Sequence, residues 1–162
     1  MALTLDLANI GDPTQIHSGG NRPAPGRGMA LITKWSEYSG ASGKAHELEF
    51  EIVAWTVPDS VGKTHTENIF HTDNTGKGFP MKRMTCFAMA AGLFNANDVE
   101  QWKKAGVMPE VDFNQLVGRP IMIVLIEEPD KEDKNKTYIR VGEIGLAFYH
   151  IKDAKTKDWP KN

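Results

Sequence analysis

The stretch from Leu31 to Trp55, LITKWSEYSGASGKAHELEFEIVAW, restricts the fold more than any other part of the chain. Two runs rich in apolar residues flank a Ser/Gly turn, SGASGK, and the second run alternates. Leu48, Phe50 and Ile52 fall on one parity, and Glu47, Glu49 and Glu51 on the other. Successive side chains on a strand point to opposite faces, so this pattern predicts a β-hairpin with one buried face. The other face meets water or a ligand. Trp35 and Trp55 stand one in each arm, where they either line a binding wall or close the core beneath it.

The chain has 162 residues, enough for one domain with a real core. Residues 1–27, with HSGGNRPAPGRG, are dense in Gly and Pro and read as a flexible N-terminal arm. Leu3, Leu5, Leu7 and Ile10 would dock on the body or on a second copy, which makes a homo-oligomer a candidate state. Residues 28–151 read as the folded domain and 152–162 as a short C-terminal tail. In the domain, strands are expected over about 28–38, 44–55 and 63–73, with Pro58 closing the second. From Met81 to Phe94 the period changes. Met84, Phe87, Ala88, Ala91 and Phe94 recur at helical steps, and Gly92 lies near the end. A second short helix is expected over 98–105, with Asn97 as its cap and Gly106 as its stop. IMIVLIEE is apolar on both parities, as expected for a fourth strand held between core and helix. A charged loop, PDKEDKNK, then leads to a fifth strand over 137–150. Gly142 and Gly145 there suit a bulge or a sharp bend.

Strand, strand, strand, helix, strand, strand is the layout of a mainly β, five-stranded OB-fold barrel with its helix between strands three and four. A helix packed across an antiparallel sheet would give the same string. ENIFHTDNTGKGFPMKRMTCFAMAAGLF followed by FNQLVGRPIMIVLIEE resembles an uncharacterised family from phage and prophage recombination regions. The shared features are the Pro25-Gly26 entry to the first strand, the Gly/Ser hairpin turn, Ala91-Gly92 after the helix, and Leu116-Val117-Gly118-Arg119 before the fourth strand. The resemblance spans roughly 25–150. It implies an OB-fold that binds single-stranded DNA, with replication or recombination proteins as partners. The segment KDAKTKDWPKN is mixed and slightly basic, unlike the acidic partner-recruiting tail of many single-strand-binding proteins.

Single-strand binding needs rings for bases and cations for phosphates. The candidate rings are Trp35, Tyr38, Trp55, His71 and Tyr138. The candidate cations are Lys34, Lys44, Lys63, Lys77, Lys82, Arg83, Lys136 and Arg140. In an OB-fold the first hairpin loop and the loop between the last two strands flank the binding face, which would place Tyr38, Lys44, Lys134 and Lys136 at its rim. TYIRVG sets Tyr138 and Arg140 on one face and Ile139 and Val141 on the other. The glutamate row keeps an exposed face soluble, or repels DNA and confines it to another part of the barrel.

Other chemistries find little support. The formal net charge of −2 gives no global basic field, so any DNA contact must be local. His65, Glu67, His71 and Asp73 share a strand face, but His65 and His71 would stand about 20 Å apart at strand rise. No metal or other cofactor is expected. TVPDSVGKT lacks the first glycine of a phosphate loop, since Val57 holds that position. The single cysteine, Cys86, lies on the apolar face of the helix and reads as structural. No enzyme is expected. One Cys, no membrane-length apolar run and no basic, apolar leader point to a reducing, cytoplasmic setting. The rival reading is a structural or assembly protein of a phage-like particle.

Overall fold

The computed structural model describes residues 4–5, 22–40, 43–70, 79–107, 109–130, 132–133 and 135–161. Its centre is the expected hairpin. β1 (Gly26–Gly40) pairs antiparallel with β2 (Gly43–Trp55). β2 then pairs with β3 (Thr64–Phe70), and β1 also pairs with β4 (Pro120–Pro129). β4 pairs in turn with β5 (Thr137–Val141), giving one curled antiparallel sheet in the order β3-β2-β1-β4-β5. Register shifts after Met29 and after Ile32 bend β1, as bulges do. Among the described residues no backbone ladder joins β3 to β5.

Alternation decides what the sheet encloses. Leu48, Phe50 and Ile52 from β2 meet Ala30 and Ile32 from β1 and Ile121, Ile123 and Leu125 from β4, all fully or almost fully buried. Helix α1 (Phe79–Ala90) follows β3 and closes this concave side. Its buried residues include Met84, Phe87, Ala88 and Ala90, and Ala91 just past its end continues the same stripe. Phe87 packs edge-on against Phe50 and Phe148, with ring centroids 6.0 and 5.3 Å away. The helix stops at Gly92, whose φ of +80° favours glycine. The Leu93 and Gly92 amides donate to the Ala88 and Met89 carbonyls, the bonding pattern of a Schellman cap. Helix α2 (Ala96–Ala105) starts two residues earlier than its sequence suggests. Its cap is Asn95, not Asn97, because Asn95 and Asp98 bond each other's backbone amides reciprocally.

Two departures concern β4 and the chain after it. Among the described residues α1 packs mainly on β3 and on a two-residue strand, β6 (Phe148–Tyr149), rather than on the parity of β4 that faces away from the core. The fifth strand is also broken. After Val141 the chain makes a turn over Gly142–Gly145 with Glu143 and Ile144 at φ +53° and +59°, then resumes as β6, still on β4. A β-branched residue at positive φ is strained, at about 1–3 kcal/mol, so the turn needs outside support. Arg83 of α1 supplies some of it by donating to the Gly145 carbonyl at 3.1 Å. A Cβ on residue 145 would stand 2.5 Å from the Arg83 Nε, so glycine is required there for this approach as well as for its φ. Among the described residues no helix is long and apolar enough to cross a membrane.

Candidate nucleic-acid interface

The outward face of the sheet divides into a β2 side and a β4–β5 side. On the β2 side, Glu51 is exposed, Glu47 pairs with Lys34 at 3.2 Å, and Glu49 accepts from the Thr33 hydroxyl at 3.0 Å. Lys34 is therefore exposed but already faces a carboxylate. Phosphates approaching this face would meet a row of like charge.

Neither tryptophan offers a free ring. Trp55 is only 4% exposed, and its indole N–H donates to the Ala24 carbonyl at 2.9 Å. It closes the core rather than serving as a stacking platform, because a buried indole must satisfy its donor internally. Trp35 is half-buried and carries protein rings already: His46, Phe113 and Phe87 lie with centroids at 4.0, 4.6 and 5.8 Å in stacked geometry. The shift in register after Ile32 turns Trp35 inward, opposite Leu48. Both therefore leave the set of candidate DNA contacts.

On the β4–β5 side the candidates stay together. Tyr138 lies opposite Glu128 and Arg140 opposite Ile126. Val141 is buried and Ile139 packs against the core, so the pair projects outward. Tyr138 is 37% exposed. Its hydroxyl donates to a Glu128 carboxylate oxygen at 3.4 Å, and Arg140 reaches the same oxygen at 3.1 Å. Glu128 thus holds both side chains on one surface. A partly exposed pair of this kind is worth about 0–1 kcal/mol, so a phosphate can replace the carboxylate at small cost. Lys136 is exposed in the adjoining loop, which the Asp130 carboxylate organises by accepting from the Glu132 and Asp133 amides. Those two bonds hold the Asp130 carboxyl below the usual range.

The remaining basic candidates separate. Arg83 is engaged inside the fold. Its guanidinium donates to Glu67 at 2.9 Å and to the Asn68 and Gly145 carbonyls, and Glu67 in turn meets His65 at 2.6 Å. This largely buried group ties β3 to the turn after β5, across an edge where no ladder joins the described residues. Lys82 is exposed on α1, and Lys63 is half-buried just before β3. Tyr38 and Lys44 lie near the β1–β2 turn, in register with Ala45 and Ser39, and their side chains lie outside the described residues. So do His71, Lys77 and Lys134. The register sets the β1–β2 turn and the β4–β5 loop at opposite ends of β1, because Gly26 lies opposite Leu125. They do not form two rims of one short groove along that strand.

Four residues outside the sequence-based set join the β4–β5 surface. Arg27 of β1 lies opposite Val124, and its guanidinium sits over the Trp159 ring at 5.4 Å. Trp159 meets Tyr149 of β6 edge-on at 5.4 Å, and the Lys155 ammonium lies over Tyr149 at 5.6 Å. Residues 152–161 are thus folded back on the sheet, with Thr156 fully buried. Met122 explains the seat: it has the outward parity of β4 yet is fully buried. Burial, and then a 2.7 Å hydrogen bond to Glu143, push the Tyr149 hydroxyl well above its usual pKa. The sequence signal was the interleaving of Lys with Trp in KDAKTKDWPKN, which has no period and reads as a tail without its contacts. Cys86 is half-buried on α1, where burial raises its thiol pKa. Among the described residues no three His, Cys, Asp or Glu side chains converge as metal ligands would.

No protein-family model matches the chain, and no curated protein matches it.

Proposed function

We propose that this protein binds single-stranded DNA without strong sequence preference and without catalysis, on an OB-type barrel, in phage or mobile-element replication or recombination. The observation that carries the reading is the pairing of Tyr138 with Arg140 on the outer surface of β5, a ring beside a cation, with the core taking the opposite parity. Such a pair can stack a base and meet a phosphate two residues on. The strand order supports the OB-type reading. β1 pairs with both β2 and β4, and a helix stands between β3 and β4, as that barrel requires. The glutamate row favours the β4–β5 side over the β2 side as the path. Host-cell cytoplasm, with replication or recombination proteins as partners, is the corresponding setting.

The test is a fluorescence-anisotropy titration with oligo-dT and with duplex DNA at two salt concentrations. Preference for the single strand, with an affinity that falls as salt rises, is the expected result. Equal or absent binding to both would end this reading. Large uniform assemblies formed without DNA would favour a structural protein instead.

A further inference from the structure

We infer that the folded-back segment 152–161 extends the DNA surface, so that Arg27 and Lys155, each held over an aromatic ring, carry phosphates of the same strand that Tyr138 and Arg140 engage. This rests on the single-strand-binding reading above. It adds a part of the surface that the strand pattern alone does not contain.

The geometry comes from the outward parity of β4. Met122 lies opposite Tyr149 on one side and Met29 on the other. Val124 lies opposite Arg27, Ile126 opposite Arg140 and Glu128 opposite Tyr138. Cross-strand partners share a face, so these residues form one surface. From Met122 to Glu128 it runs about 20 Å at strand rise, a length suited to several nucleotides. Lys155 and Tyr149 lie at one end, Arg27 and Trp159 next, and Arg140 and Tyr138 at the other end.

Charge follows the same line. The segment 152–161 has four lysines (152, 155, 157 and 161) against two aspartates (153 and 158). Arg27, Lys152, Lys155 and Lys157 are exposed and form no ion pair among the described residues. Of the acids nearby, Glu143 accepts from Tyr149, Asp153 accepts from the Lys155 amide, and Glu128 is taken by Arg140. Asp158 is exposed beside Trp159. The rings do not stand free to stack bases. Their part is to hold flexible cations at fixed points, since a cation over a ring face is attracted to it even at an exposed site. Pre-placed cations lose less freedom when a phosphate arrives. A chain with net negative charge can therefore still present a local basic line, because charges beyond about 8 Å are screened at physiological salt.

The experiment is an oligo-dT titration across a salt series with three variants of the full chain. Arg27→Gln/Lys155→Gln removes both ring-held charges and should bind more weakly, with a log-log salt slope reduced by about 1.4, from about 0.7 per single-strand phosphate contact. Arg27→Lys/Lys155→Arg keeps the charges and should retain most of the parent slope. Lys155→Gln/Lys157→Gln leaves the Arg27–Trp159 contact in place, so it covers the case in which losing Arg27 loosens the fold. If the parent binds, Tyr138→Ala weakens binding, and both Gln variants keep the parent affinity and slope, the segment is a structural cover and this inference fails alone. If the parent does not bind oligo-dT, the functional reading fails and takes this inference with it.

Discussion

Replacing Arg83 with alanine separates a structural cation from a DNA-binding one. By residue type and position beside Lys82, Arg83 reads as part of a phosphate track. In the fold it is 13% exposed and faces Glu67, which is 10% exposed, at 2.9 Å. It also donates to two carbonyls from separate elements, Asn68 of β3 and Gly145 of the turn after β5. Removing one member of a buried ion pair costs about 3–5 kcal/mol, because the other charge is left without its partner. Here His65 still holds the second Glu67 oxygen at 2.6 Å, which places the loss at the lower end, about 3 kcal/mol. For a chain of this length each kcal/mol moves the melting temperature by about 2–4 °C, so Arg83→Ala should melt about 6–12 °C below the parent. Urea unfolding followed by circular dichroism gives the free energy directly. The salt slope of oligo-dT binding should be that of the parent, measured below the variant's transition. A destabilisation under about 1 kcal/mol would mean the pair behaves like a surface contact, and the bridging argument fails. A reduced salt slope with unchanged stability would return Arg83 to the DNA surface.

Phe87→Ala should cost about 3–5 kcal/mol in the same unfolding assay, since its ring is fully buried among Phe50, Phe148 and Trp35; a loss under about 1 kcal/mol would contradict that packing. Tyr138→Ala should weaken oligo-dT binding by about 1–3 kcal/mol with little change in melting temperature, and Arg140→Ala should lower the salt slope by somewhat less than one unit. Parent-like binding by both variants would move the site elsewhere. Cys86 should react with a thiol reagent more slowly at neutral pH than free cysteine does. Burial raises its pKa, so less thiolate is present, and the rate should climb as pH rises. A rate equal to that of free cysteine in the folded protein would refute this.

Local periodicity determined much of this protein. The alternation of Leu48, Phe50 and Ile52 with three glutamates fixed which face of β2 is buried, and the helical spacing of Met84, Phe87 and Ala88 fixed the stripe of α1, which Ala91 continues just past the helix end. The same two-residue period separated Tyr138 and Arg140 from Ile139 and Val141. Side-chain direction follows from the chain's own repeat, so such facts need no knowledge of partners. The positions of Trp55, Trp35 and Arg83 did not follow from it. A tryptophan in a strand suits a core or a stacking face equally, and only the Ala24 carbonyl beside its indole decides for Trp55. The register shift after Ile32 redirects Trp35, and it exists only in the pairing of β1 with β2. Arg83 was drawn inward by Glu67 and by carbonyls far from it in sequence. The segment 152–161 looks like a tail because its residues have no period of their own. Its place on the sheet, which brings Trp159 to Arg27 across more than a hundred residues of chain, exists only once β6 has paired with β4 and left Met122 to be covered.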